Sequence, residues 1–216
     1  MKIGVLGTGE VGQALGGKLV ELGHDVMMGA RSADNEKVLA FAEKTGGKAG
    51  SFADAAAHGE LIIHCARGNS AVDVLRAAGT DNLAGKTVID VSLPLDFSAG
   101  FPPSLFVSNT DSLGETIQRA FPDARIVKTL NTMNHRIMID PRSLPGTSTV
   151  FVSGNDAAAK GQAKDLLRQM GWQSIIDLGD ITTARGTEQF LSLWVRLWSS
   201  LGTPEFNISV VTEKKD

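Results

Sequence analysis

Short apolar runs alternate along this chain with stretches whose apolar residues recur at helical spacing. The opening shows the pattern: an apolar run at residues 3–6, a glycine cluster, a helix-period segment, then a second apolar run at residues 26–28. Strand, glycine turn, helix, strand is the order of a parallel βαβ unit. The alternation continues. A helix is expected over residues 35–44, closed by Gly46 and Gly47. A short strand at 48–50 follows, then an alanine-rich helix that Ser51 and Asp54 start as a capping box. Strands at 61–66 and 87–91 flank a helix at 70–78, and Ser112 with Glu115 caps a helix that runs to Ala120. A sixth strand is expected at 124–129, then a strand at 149–153, a helix at 156–170 stopped by Gly171, a strand at 172–178 and a last helix at 183–201. The fold class is α/β, a Rossmann-type doubly wound and mostly parallel sheet. Residues 1–129 form the dinucleotide-binding domain, and residues 130–216 a smaller C-terminal α/β appendage.

The glycines decide what the first turn is for. Gly7, Gly9 and Gly12 have the G-x-G-x-x-G spacing between strand and helix. Gly7 permits the tight turn, Gly9 lets the backbone approach a pyrophosphate, and Gly12 lets the helix pack on the sheet. The helix starting near Glu10 and Val11 then aims its free N–H groups at the phosphates. An NAD site places an acidic residue at the end of the second strand. Here that place reads Gly29-Ala30-Arg31-Ser32, with Asp25 at the wrong end of the strand and Asp34 beyond the turn. Arg31 offers a planar guanidinium to a 2′-phosphate, Ser32 a hydroxyl and Lys37 further charge. NADP(H) is therefore preferred to NAD(H).

Ligands of such sheets sit beyond the carboxyl ends of the strands. Ala66 and Arg67 close the fourth strand, where Arg67 is either a contact to the adenine or pyrophosphate or a surface loop charge. Ser92 and Pro94 close the fifth and border the nicotinamide ring. Residues 95–108 are long and irregular for a connection, and read as a substrate-side flap or a structural loop. His64, inside an apolar strand, reads as a satisfied core histidine.

Composition narrows the classes. The net charge of −3 gives no reason to expect nucleic acid or an anionic membrane as partner. No apolar run reaches the roughly 18 residues of a membrane span, and no leader pattern precedes the first strand. Cys65 is the single cysteine and reads as a buried core thiol of a cytoplasmic protein. The four histidines lack metal-ligand spacing, so no metal is expected. The last helix carries Phe190, Leu193, Trp194, Leu197, Trp198 and Leu201 as its buried stripe, which Leu191 and Val195 broaden, for core packing or a homodimer contact that an edge strand at 206–211 extends.

The chain contains no tyrosine, which removes a Tyr-Lys proton donor of the carbonyl-reductase kind. His135 is the one proton donor near the site, and reads as a helix-start residue first. Hydride transfer to a flavin-like ring needs no general acid, because the ring delocalises the charge.

The residues Gly7-Thr8-Gly9-Glu10-Val11-Gly12, Gly29-Ala30-Arg31-Ser32, Leu130-Asn131-Thr132-Met133 and Gly154-Asn155-Asp156 resemble the NADPH-dependent deazaflavin reductases. These use coenzyme F-420, and their nucleotide-binding half is shared with the STEAP-type ferric reductases. The resemblance covers nearly the whole chain and departs at Ala66-Arg67, where the family often carries proline. It implies direct hydride transfer between NADPH and a deazaflavin. It also implies that Thr8, Gly9, Glu10 and Val11 hold the pyrophosphate, Arg31 and Ser32 the 2′-phosphate, and that Asn131, Thr132 and Met133 lie beside the stacked rings. The alternatives left open are a flavin or ferric-chelate reductase and a non-catalytic NADPH-sensing binding protein. The partner expected is a small-molecule redox co-substrate.

Overall fold

The computed structural model describes residues 1–213. An eight-stranded sheet forms its middle layer, in the order β10-β9-β8-β5-β4-β1-β2-β3. The strands are β1 (Lys2–Leu6), β2 (Asp25–Ala30), β3 (Lys48–Ser51), β4 (Leu61–His64), β5 (Thr87–Asp90), β8 (Arg125–Thr129), β9 (Thr149–Ser153) and β10 (Ser174–Gly179). A separate hairpin pairs β6 (Leu95–Asp96) with β7 (Ser104–Leu105). All sheet pairings are parallel except β8 with β9. Residues after 130 thus add two strands to the edge of the same sheet rather than a sheet of their own.

Both faces are apolar because both are covered, as parallel sheets require. Alternation along the strands splits the core. Ile3, Val5, Leu61 and Ile63 pack with α1 (Glu10–Glu21), α2 (Glu36–Thr45) and α8 (Ala157–Gln169) on one face. Leu6, Ile62 and Val88 pack with α3 (Phe52–His58), α4 (Ala71–Ala78), α5 (Thr80–Leu83) and α6 (Leu113–Ala120) on the other. The helix starts follow the local chemistry. Asn35 caps α2 by accepting from Lys37 N–H, and Gly46 ends it in the left-handed region. Ser51 and Asp54 form the full capping box of α3. The Ser112 cap of α6 is one-sided: its oxygen accepts from Glu115 N–H, but its own N–H is taken by Asp111.

Three expectations need correction. The expected stripe of the last helix, α9 (Ala184–Leu201), faces the core only in part, and Phe190, Trp194 and Leu197 in it are half-buried. Leu193, Trp198 and Leu201 are exposed, while Ala184, Thr187, Glu188, Leu191 and Val195 are buried. The buried Glu188 accounts for the difference, because its carboxylate pairs with a buried lysine and rolls the helix about its axis. Residues 206–211 form no strand. That segment instead bonds Thr149 at the start of β9, which donates its N–H to the Ile208 carbonyl at 2.9 Å. Cys65 sits at the margin of the core rather than inside it: it follows β4, packs half-buried against the core cluster and lines the cleft described below.

The first turn shows why glycine stands at two of its positions. Gly7 has φ +128°, a backbone state that disfavours side chains. A Cβ on Gly12 would lie 2.1 Å from the Gly7 carbonyl oxygen, whereas one on Gly9 would meet nothing within 4 Å. Gly12→Ala should therefore cost about 3 kcal/mol in urea denaturation, the upper range of overpacking. Gly9→Ala should leave stability within about 0.5 kcal/mol of the parent. Equal losses at the two positions would contradict this geometry.

Candidate active site

The strand order reverses between β1 and β4, and a cleft of about 1440 Å³ opens beyond their carboxyl ends. One arm runs along the first turn: Thr8, Gly9, Glu10, Val11 and Gln13 line it, with Lys37 and Lys44 of α2 beyond. The N-terminus of α1 opens onto this arm, so free N–H groups and the positive dipole end favour an anion there. Cys65, Ala66, Arg67, Gly68 and Asn69 form the middle, beside Val91 and Ser92. The far arm is made by residues 95–98 and Phe106 around the hairpin, by Met133, Asn134, His135 and Met138, and by Trp194 of α9.

Of the residues expected from the sequence, Thr8, Gly9, Glu10, Val11, Ala66, Arg67, Ser92 and Met133 are brought together in this cleft. Gly7 and Gly12 lie behind the turn and shape it. Pro94 is buried outside the lining and accepts a hydrogen bond from Phe106 N–H, which anchors the hairpin. Asn131 and Thr132 are also buried outside the lining, and Leu130 before them takes a left-handed turn with φ +60°. Arg31 and Ser32 are exposed at the end of β2, outside the lining. The Ser32 hydroxyl donates to Asp34, while Arg31 makes no ion pair among the described residues. His135 opens the short helix α7 (His135–Ile139), capped by Asn134, and also lines the cleft, with its Nδ1 3.9 Å from Glu10.

Below the cleft floor lies a charge cluster that sequence reasoning missed. Lys128 Nζ donates to Asp90 Oδ2 at 2.8 Å and to the Ser92 carbonyl at 2.6 Å, and pairs with Glu188 at 3.0 Å. Asp90 Oδ1 accepts from His64 Nδ1 at 2.8 Å and from Ser92 N–H at 3.1 Å. Glu188 accepts the N–H groups of Leu113 and Gly114 at 2.7 and 3.0 Å, so the start of α6 stands in for a second cation. Burial works against the Asp90 carboxylate, but Lys128 and then His64 outweigh it and hold its pKa below the usual range. Burial likewise opposes the charge on Lys128, and Asp90 and Glu188 outweigh it, so that pKa is raised. Burial, with Asp90 second, pushes the Cys65 thiol up, which leaves it protonated and poorly nucleophilic. His64 is a core histidine, although its Nε2 has no partner. Only the register Asp90 opposite Lys128 on β5 and β8 brings the cluster together, and no local spacing announces it.

A doubly wound sheet with a glycine turn, an open helix N-terminus and a cleft at the strand reversal defines a dinucleotide-binding protein. Comparison with known proteins narrows the class. Residues 2–94 match the family described as NADP oxidoreductase coenzyme F420-dependent. A crystal structure from Arthrobacter sp. fb24, described as a "putative f420 dependent nadp-reductase", is 49% identical with a TM-score of 0.94. The match covers 98% of this chain and 100% of that one. The F420-dependent NADP reductase of Methanothermobacter marburgensis is 26% identical over 208 residues, which cover 91% of this chain and 92% of the relative. The rat metalloreductase STEAP3 is 27% identical over 190 residues. There the match takes in 87% of this chain and 36% of the relative, so the chain spans about a third of that protein's length.

The chain belongs to the family of coenzyme F-420-dependent NADP oxidoreductases and is an NADP-dependent oxidoreductase. No helix among the described residues is long and apolar enough to cross a membrane.

Lys128→Met leaves two buried carboxylates short of their cation and should cost about 3–5 kcal/mol in urea denaturation at pH 7. The sign with pH follows from Asp90. Its folded pKa lies below the ordinary 3.8, so its contribution is present above that value and is lost as pH falls through the depressed one. Parent stability should decline below about pH 4, and Lys128→Met should lose that acid sensitivity. A variant that keeps the parent's stability and acid limb would show that the cluster contributes nothing.

Proposed function

We propose that the protein transfers a hydride between NADPH and a deazaflavin acceptor of the coenzyme F-420 type. The observation that carries this is the continuity of the cleft from the glycine turn to the hairpin and α9. Its volume of about 1440 Å³ exceeds the roughly 300–1,000 Å³ usual for one small ligand and suits two flat molecules end to end. The named relatives from Arthrobacter and Methanothermobacter support the same acceptor. The residues of the near arm fit a dinucleotide: the backbone at Gly9 is open, the α1 amides are free, and Lys37 and Lys44 supply charge. Bound there, NADPH supplies the hydride from its nicotinamide ring. Thr8 to Val11 hold the pyrophosphate, Arg31 with Ser32 and Lys37 takes the 2′-phosphate, and Arg67 covers the cofactor from the β4 side. Ser92 and Met133 border the reacting rings and keep them close, which is the main service such a transfer asks of a protein.

The similarity to STEAP3 favours one second reading, a flavin or ferric-chelate reductase. Purified protein mixed with NADPH and coenzyme F-420, FMN or an Fe(III) chelate, followed at the NADPH absorbance band, separates the readings. Turnover with F-420 alone is expected. Turnover only with the chelate would replace the first reading by the second, and tight NADPH binding with no turnover would make the protein a sensor. In the same assay Arg31→Glu should weaken NADPH by about 1.5–3 kcal/mol and leave NADH nearly unaffected. Equal losses with both would overturn the 2′-phosphate role of Arg31.

We also infer a homodimer. The exposed Leu193, Trp198 and Leu201 of α9 support it, because a single copy leaves this apolar strip in water. Sedimentation should give twice the chain mass, and Leu193→Lys should shift it to one chain. A single-chain mass for the parent at micromolar concentration would dismiss the pairing.

A further inference from the structure

The hairpin that closes the far arm is anchored by one row of aromatic rings and presents two others to the cleft. It pairs Leu95 with Leu105 and Asp96 with Ser104, and Phe106 N–H donates to the Pro94 carbonyl at 3.0 Å. So short a two-stranded ribbon is marginally stable alone and needs a hold on the body of the protein. Phe101 supplies it: its ring meets Trp198 of α9 edge-on at 5.6 Å, with an interplanar angle of 83°. Trp198 leans on Trp194 at 5.6 Å, and Trp194 stacks on Phe206 at 5.4 Å. The row ties the hairpin to α9 and to the segment that follows it.

Phe97 and Phe106 stay out of that row. Both line the cleft and keep 59% and 45% of their surface exposed, so their rings are open to a ligand there. Neither meets another aromatic ring or joins the packed core among the described residues. A single exposed phenylalanine is ordinary. Two of them in one concave cleft, with Trp194 in the same arm, form the apolar lining that small-molecule sites present. Charge points to the same class of ligand. Lys37, Lys44 and Arg67 of the lining lie in the near arm and the middle, whereas the far arm carries the Asp96 carboxylate. The far arm therefore suits the flat, uncharged end of a substrate.

We propose that this hairpin is the wall on which the ring of the hydride acceptor packs. Phe97 and Phe106 lay their surface against a flat heteroaromatic ring of the flavin or deazaflavin class. Phe101 lies outside the lining and is a positioning residue, which keeps the two rings in place through Trp198. Their role rests on the proposed transfer to a ring acceptor and decides how firmly that ring is held.

The test titrates the full chain, loaded with NADP⁺, with oxidised coenzyme F-420 or FMN and follows the visible band of the ring, which should weaken and shift on packing. Phe97→Leu and Phe106→Leu keep apolar bulk and remove the flat face. Each should raise the Kd and KM of the ring acceptor about twofold to tenfold, the range that an aromatic contact adds beyond its buried area. NADPH affinity should stay at the parent value. Phe101→Ala should raise the same KM with kcat and NADPH affinity near the parent's, and Phe101→Tyr, which keeps the edge contact, should restore it.

Parent-like ring affinity in either leucine variant or in Phe101→Ala, a Phe101→Tyr variant that restores nothing, or an equal loss of NADPH affinity would each overturn the assignment. If the parent reduces F-420 while the leucine variants bind it as the parent does, the role of the hairpin falls and the proposed transfer stands. If the parent neither binds nor reduces any ring, both fall.

Discussion

The buried ion cluster around Lys128 is the constraint on which the cleft depends. Three formal charges with 0–1% exposure meet where β4, β5, β8, α6 and α9 converge. Charges so deep survive only when paired and hydrogen-bonded, because the cost of dehydrating each is several kcal/mol. Here almost every oxygen and proton has a partner from a different element, so the network fixes the elements relative to one another. Its closest consequence for the site is Ser92. Asp90 holds that residue's N–H and Lys128 its carbonyl, so the cleft floor at the end of β5 is pinned from beneath.

The same cluster explains the orientation of α9. Glu188 must face inward to reach Lys128, and Leu191 and Val195 follow it into the core at helical spacing. The large apolar residues on the neighbouring face are then left at the rim and outside. Trp194 lands at the cleft wall for this reason, and Leu193, Trp198 and Leu201 face water. One buried carboxylate thereby sets both the far wall of the cleft and the apolar strip beside it.

Much of the fold was legible because it rests on local signals. Gly7, Gly9 and Gly12 mark the turn, Ser51 and Ser112 the caps, Gly46 a helix end, and the short apolar runs the strands, each readable within a few residues. Part of the cleft lining was legible for a related reason, since parallel sheets bind ligands at strand ends and the ends could be located. What stayed hidden was non-local. Asp90, Lys128 and Glu188 are far apart in sequence, and each taken alone resembles a surface charge. Register alone brings the first two together. The roll of α9 depends on the same unseen pairing. The hairpin inside residues 95–108 is too short to leave a periodic trace.

The distribution of charge also bears on the chemistry. Lys37, Lys44, Arg67 and Glu10 stand exposed at the cleft's edges, while the ionised groups below the floor are satisfied among themselves. Cys65, the titratable side chain between these layers, is kept protonated by burial and by Asp90. Among the described residues of the inner lining, His135 and Asp96 carry proton-transfer groups: His135 is the first residue of α7, and the Asp96 carboxylate accepts from the Ser98 N–H and hydroxyl. A cleft so furnished grips phosphates at its edge and offers flat, neutral surfaces within. Acid catalysis would need a poised proton donor on those inner surfaces, whereas transfer between two delocalised rings needs only that they be held in register. For the proposed transfer the buried cluster serves the second requirement, because Asp90 and Lys128 hold the cleft floor at Ser92 from beneath.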